Sequence, residues 1–270
     1  MSVDPHFAAF SFVDRITVFE RAQRARALFA VPAAIERFPS CLVAEAVGQL
    51  AAWVAMEAIA FRGRPVAALA NETRFHGEVR PGDVLELAVE IEQCDDEAVA
   101  YAGSARVGGR LVIELVDCLG PMLPVADFDD PAALADRLAL LRAKGAAPGR
   151  FGGVEPAQVE PIAGEPGAAW LQVPAAAPFF SDHFPRRAVF PATLMLDALI
   201  THALGVAPPG HVPAKLTHVK VRSFTEPGAR LRIEATPAAD DASRIALAVR
   251  GGERSVATAR LQTRPETSSS

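Results

Sequence analysis

Phe38-Pro39-Ser40-Cys41-Leu42-Val43-Ala44-Glu45-Ala46 is answered, at a constant offset of 152 residues, by Phe190-Pro191-Ala192-Thr193-Leu194-Met195-Leu196-Asp197-Ala198. The two stretches share Phe-Pro, a leucine, an acid and an alanine. Each runs on into apolar positions at helical spacing, through Leu50, Trp53, Val54 and Met56 in the first copy and Leu199, Ile200 and Leu204 in the second. Pro followed by a small residue opens a helix in both. A repeat this long, present twice, points to duplication of a whole domain.

Working outward, each helix is followed by a turn, Arg80-Pro81-Gly82-Asp83 and Glu226-Pro227-Gly228-Ala229. Alternating apolar residues come next, Leu85, Leu87, Val89 and Ile91 in one half and Leu231, Ile233 and Ala235 in the other, the period of a half-buried strand. Further strand-like runs cover 100–107 and 111–116, then 245–249 and 255–261. The double glycines at 108–109 and 251–252 read as hairpin turns between them. Both halves therefore read strand, long helix, then antiparallel strands, an α+β pattern. A helix apolar nearly all round is enclosed, and a sheet wrapped around it supplies the enclosure. Two such sheets set edge to edge would satisfy each other's open edges. The expected division is a first repeat over 1–125, a connector over 126–150 with a short helix through Leu134, Leu138 and Leu141, and a second repeat over 151–265.

Composition narrows the function classes. Half of the 270 residues are apolar and 22% are charged, which suits a packed globular chain. The net charge of −5 argues against nucleic acid, whose phosphates call for surplus Lys and Arg. Cys41, Cys94 and Cys118 are odd in number and widely spaced, with neither the pairing of a secreted framework nor metal-ligand spacing, so a reduced cytoplasmic setting and no metal are expected. Met1 to His6 lacks a basic region followed by an apolar run, and no signal peptide is expected. Residues 41–61 are hydrophobic, but Glu45, Gln49 and Glu57 interrupt them, so they read as a buried helix and not a membrane span. The tail at 265–270 is expected to be disordered. GxGxxG after a strand, Walker, HExxH and GxSxG motifs are all missing, and no cofactor is expected.

The run from Asp182-His183-Phe184-Pro185 through Phe190-Pro191-Ala192-Thr193 to Asp197-Ala198 resembles the signature of the FabA/FabZ family of 3-hydroxyacyl-[acyl-carrier-protein] dehydratases, with an acid fourteen residues after the histidine. The first half resembles the family too. Phe12-Val13-Asp14-Arg15 is similar to its opening strand, Glu45-Ala46-Val47-Gly48-Gln49 to its helix motif and 74–87 to its strand entry. The chain departs from the pattern at Arg186, where the family has glycine, at Ala188, where it has proline, and at Ala192, where it has glycine. The resemblance implies a double hotdog, an intramolecular pseudo-dimer with further self-association left open. It also implies that the histidine of one repeat faces the carboxylate of the other's helix.

The repeats have decayed reciprocally. The histidine position of the first falls on Val31, fourteen before Glu45. The second has Thr201 where the first has Gln49. The expected complete site therefore joins His183 to Glu45 and Gln49, leaving Val31 opposite Asp197, although the motif itself also nominates Asp197. An imidazole can take the C2 proton of a 3-hydroxyacyl thioester, and a carboxyl enclosed by apolar walls can hold the proton that departing hydroxide needs. The N–H of Ala192 at a helix start would meet the thioester oxygen as it gains charge. Phe184 and Phe190 would line the substrate channel. Arg186 and Arg187 would receive a phosphopantetheine phosphate or an acidic carrier, or form plain surface. The expected substrate is an acyl-carrier-protein or coenzyme A thioester. A hotdog thioesterase and a non-catalytic synthase partner are the alternatives.

Overall fold

The computed structural model describes residues 9–147 and 151–266. The stretch read for a signal peptide and the serine-rich end of the tail fall outside the described residues, the latter from 267 on.

The first half runs β1 (Arg15–Glu20), β2 (Arg24–Ala30), α1 (Ser40–Ala58), β3 (Gly63–Pro65), β4 (Leu69–Phe75), β5 (Val84–Cys94), β6 (Ala98–Val107) and β7 (Arg110–Pro124). A short 3₁₀ turn, Val125–Asp127, leads to α2 (Pro131–Ala143). The second half follows as β8 (Gln158–Pro161), β9 (Ala168–Gln172), α3 (Phe180–His183), α4 (Ala192–Leu204), β10 (His211–Val221), β11 (Arg230–Ala238), β12 (Asp241–Gly251) and β13 (Arg254–Pro265).

Twelve of these strands form one continuous antiparallel sheet in the order β1-β2-β5-β6-β7-β4-β10-β13-β12-β11-β9-β8, with β3 lying off the path on β7. Read from either end, the order is the same once each strand is replaced by its counterpart in the other half. The centre is the β4–β10 pair, where Ala70 meets Val219 and Thr73 meets Leu216. Shifting by the spacing of Pro81 and Pro227 exchanges those two pairs, so the register itself carries a pseudo-twofold axis. The architecture is a double hotdog, as the resemblance implied.

α1 buries Leu42, Val43, Ala46, Val47, Leu50, Ala51, Val54 and Ala55, leaving Ala44, Glu45, Gly48, Gln49 and Ala52 on its one half-buried face. The apolar run that raises a membrane question is thus the core helix of the first hotdog. Gly103 on β6 lets that helix lie against the sheet, since a Cβ there would stand 2.5 Å from Val47 Cγ1 and 2.9 Å from the Ala88 carbonyl. The connector helix α2 starts at Pro131, its Asp130 cap accepts from the Ala132 and Ala133 N–H groups, and it buries Leu134, Leu138 and Leu141.

One local expectation changes. The opening strand starts at Arg15, not at Phe12. Backbone groups of residues 9–12 are held by side chains instead: Asp182 accepts from the Ala9 and Phe10 N–H groups at 2.8 and 2.5 Å, and Gln49 holds Phe10 and Phe12. Those groups are withdrawn from strand pairing.

Candidate active site

His183 closes the short helix α3, its N–H donating to the Phe179 carbonyl at 2.8 Å. The imidazole stands between two phenyl rings, with Phe184 at 4.1 Å and Phe10 edge-on at 5.2 Å between centroids. This aromatic seat removes the ring from water. Burial and the nearby Arg64 cation push its pKa down from 6.5 to about 3, against an upward pull from the Val189 backbone. Nδ1 is buried without a hydrogen bond of good geometry, and Nε2 is the nitrogen that faces Glu45.

Glu45 lies on the half-buried face of α1. Its Oε1 is 4.0 Å from His183 Nε2, too far for a hydrogen bond, so the two groups face each other without being joined. Gln49, one helical turn on, donates from Nε2 to Glu45 Oε1 at 3.0 Å and to the Phe10 carbonyl at 2.9 Å. Its own oxygen accepts from the Phe12 N–H at 2.8 Å, and that bond fixes which end of the amide points at the carboxylate. From the other repeat, the Thr193 hydroxyl lies 2.9 Å from Glu45 Oε2. Burial raises the Glu45 pKa; Gln49, Thr193 and the Arg64 charge pull it back.

These groups open on one cavity, whose wall includes Ala44, Gly48 and Ala52 of α1, Tyr101 and Cys118 from the first half of the sheet, and Leu216 and Val219 from the second half. Phe184, Phe190 and Ala192 line it as well. Ala192 is the first residue of α4, a helix start without a side-chain cap.

Asp197 does not join this group. It lies in a second pocket with Leu42, Phe179, Leu194 and Thr201, and Arg37 binds its carboxylate at 2.8 Å. Val31, at the vacated histidine position, is buried, and its backbone is tied to the Gly82-Asp83 turn. Arg186 bonds the Ala126 carbonyl at 3.0 Å and Asp130 at 3.3 Å, and so braces the connector. Arg187 stacks over Phe224 at 4.5 Å, beside Val189 and Ser223 of the cavity wall.

Residues 36–116 match the FabA-like domain and residues 165–260 match the ApeI dehydratase model, one in each half. A 3-hydroxyacyl-[acyl-carrier-protein] dehydratase FabZ of Bacillus velezensis is 35% identical over 121 residues, 41% of this chain and 86% of that protein. The chain belongs to the FabA/FabZ family of dehydratases. Within this family the chain is an enzyme of the hydro-lyase type, with two hotdogs in tandem where the relative matches over less than half its length. Among solved structures, an acyl-ACP thioesterase from Bacteroides thetaiotaomicron covers 89% of this chain and 98% of its own at a TM-score of 0.55 and 8% identity. The 12:0-ACP thioesterase from Umbellularia californica covers 92% and 100% at 0.54 and 13%. At such identities the likeness is one of fold.

Two members of this cluster escaped the sequence reading. Thr193 stands inside the recurring motif, yet its partner is 148 residues away and is set by how α4 meets α1. Arg64 sits on a three-residue strand too short to show any period.

Proposed function

We propose that the chain removes water from a (3R)-3-hydroxyacyl thioester to give the trans-2-enoyl thioester, at one site per chain built by both repeats. The observation that carries this reading is the opposition of His183 and Glu45 across 4.0 Å in an apolar cavity. Their protonation states suit the two half-reactions. An imidazole whose pKa is pulled to about 3 is a free base at neutral pH, and a carboxyl with a raised pKa retains its proton further toward neutrality.

His183 Nε2 takes the C2 proton, and the electron pair forms the C2–C3 double bond as the C3–O bond breaks. Glu45 gives its proton to the departing hydroxide, which leaves as water. His183 then holds a proton that Glu45 lacks, and returning it across the gap resets the pair. Charge gathers on the thioester oxygen as the C2–H bond breaks, and the Ala192 N–H at the start of α4 is the donor for it. Gln49 and Thr193 aim the carboxyl group.

The thioester is carried by acyl carrier protein in this reading, in fatty-acid, polyketide or polyene-type synthesis. The division into repeats at 1–125 and 151–265 around a connector at 126–150 belongs to the same proposal. Cys41, Cys94 and Cys118 are free, which suits the reducing cytoplasm.

The test is the mass of the product when the protein meets a (3R)-3-hydroxyacyl pantetheine thioester. Loss of one water with the thioester intact is expected. Release of the free acid would make the protein a thioesterase, and an unchanged substrate would make it a binding partner.

A further inference from the structure

Arg64 is a buried cation that the dehydration scheme does not use. Its side chain is 16% exposed and that of its partner Asp129 7%, joined at 2.8 Å. Ion pairs this deep cost several kcal/mol of lost hydration per charge, on the order of what their mutual attraction returns. Their place in the fold indicates what they hold.

The second fork of the guanidinium, Nη2, donates to the main-chain carbonyl of His183 at 3.0 Å, and its carbon lies 4.7 Å over the Phe184 ring. Three segments far apart in sequence thereby meet on one planar group: β3 of the first repeat, the connector, and the histidine turn of the second. Each is also held by backbone contacts of its own. β3 pairs with the end of β7, and Gly63 lets it approach, since a Cβ there would stand 3.1 Å from Ile59 and 3.3 Å from Met122. The connector is stitched to β3 by the Val125 N–H on the Arg62 carbonyl at 3.2 Å, and to the histidine loop by the Arg186 N–H on the Phe128 carbonyl at 2.9 Å. The other Asp129 oxygen accepts from the Asp130 N–H. The second pocket is built differently: Arg37 binds Asp197 directly and is 47% exposed.

We propose that Arg64 is a positioning residue for the base: bound to Asp129, it grips the His183 carbonyl and the Phe184 ring and so sets where the imidazole stands relative to Glu45. Lysine cannot reproduce this, because one ammonium lacks the rigid fork that spans a carboxylate and a carbonyl. The charged groups facing Arg64 are Asp129 by contact and Glu45 and Asp182 at longer range. Burial first and this cation second hold the imidazole neutral, so removing the cation lets the His183 pKa rise from about 3.

This inference rests on His183 being the base, and the experiment separates the two. The double variant R64Q/D129N removes both charges together and leaves no unpaired carboxylate, while R64K keeps the ion pair. Both are assayed with the same pantetheine thioester, and the His183 imidazole is titrated by its ¹⁵N shifts. R64Q/D129N is expected to lose kcat by on the order of 10- to 100-fold, the scale on which orienting partners act, with KM nearly unchanged and the imidazole titration moved upward. R64K is expected to fall between it and wild type. Wild-type kcat with an unmoved titration, in whichever of the two variants is folded, would overturn the assignment. A His183→Ala protein that still turns over strikes the base itself and not Arg64.

Discussion

Two pockets related by the pseudo-twofold have come to opposite ends. In one, a half-buried imidazole and a half-buried carboxyl face each other across 4.0 Å with no bond between them. In the other, the carboxylate of Asp197 is bound by Arg37 at 2.8 Å, and Val31, at the position that corresponds to His183, is buried in the core and does not line that pocket. Burial raises the pKa of both carboxyls, but Asp197 is tied directly to a guanidinium, whereas Glu45 is held by a glutamine amide and a hydroxyl. A subunit of a symmetric dimer must keep every group, because each copy serves both sites. Once the two copies share a chain they can diverge, and this chain retains the histidine in one half and the carboxyl–amide pair in the other.

His183→Ala strikes the asymmetry hardest. Positioned acids and bases each contribute on the order of 10²- to 10⁴-fold, and a loss of that size in kcat is expected, with Glu45→Gln similar. A steady-state assay with the pantetheine thioester reads both. The pH dependence sharpens the point. An exposed histidine base would lose activity as pH falls through 6.5, but His183 is expected to show no inflection there, because its pKa lies near 3. A rate profile between roughly pH 5 and 8 checks this. Stability carries the same signature. Below 6.5 the unfolded chain takes up a proton that the folded site refuses, so His183 costs the wild type stability as pH falls from 6.5 toward 3, and H183A lacks that component.

A smaller effect comes from the hydroxyl that reaches Glu45 across the repeats. Thr193→Val keeps the shape and removes the contact at 2.9 Å. A lost hydrogen bond of this kind corresponds to about a 10-fold drop in kcat. Because the Thr193 bond pulls the Glu45 pKa down, its removal lets that pKa climb further, and the alkaline limb of the profile is expected to move to higher pH. An alkaline limb that stays in place would assign Thr193 to packing alone.

The sequence exposes what depends on near neighbours. The Phe-Pro motif recurs with its helix, and Glu45 and Gln49 one turn apart already imply an acid with an orienting amide. The reciprocal loss at Val31 and Thr201 points to His183 being set opposite Glu45, and the two stand 4.0 Å apart. It stays silent where contact depends on tertiary crossing. Arg64 reaches the His183 carbonyl across 119 residues from a strand of three. Arg186, read either as a phosphate or acidic-carrier ligand or as plain surface, bonds the connector, whose course no local pattern records. Phe10 and Phe12 leave the sheet because Gln49 and Asp182 hold their backbone, a competition set by residues distant in the chain.

The smallest expected effect is the one that bears most directly on the asymmetry. Asp197 occupies the motif's acid position, fourteen residues after His183, so a reading by motif alone makes Asp197→Asn as damaging as Glu45→Gln. The structure puts its carboxylate on Arg37 in the other pocket, and kcat is therefore expected to stay within about 2-fold of wild type, well under the loss of any positioned acid. Stability shifts little, because a partly exposed ion pair contributes about 0–1 kcal/mol. Burial raises the Asp197 pKa above 3.8 despite Arg37, so its contribution is full below 3.8 and lost as pH rises through the folded value. The asparagine variant lacks that loss, and its melting temperature is expected to vary less with pH across that window. A collapse of turnover in D197N would mean that each hotdog supplies its own acid, and that the pocket around Glu45 is the silent one.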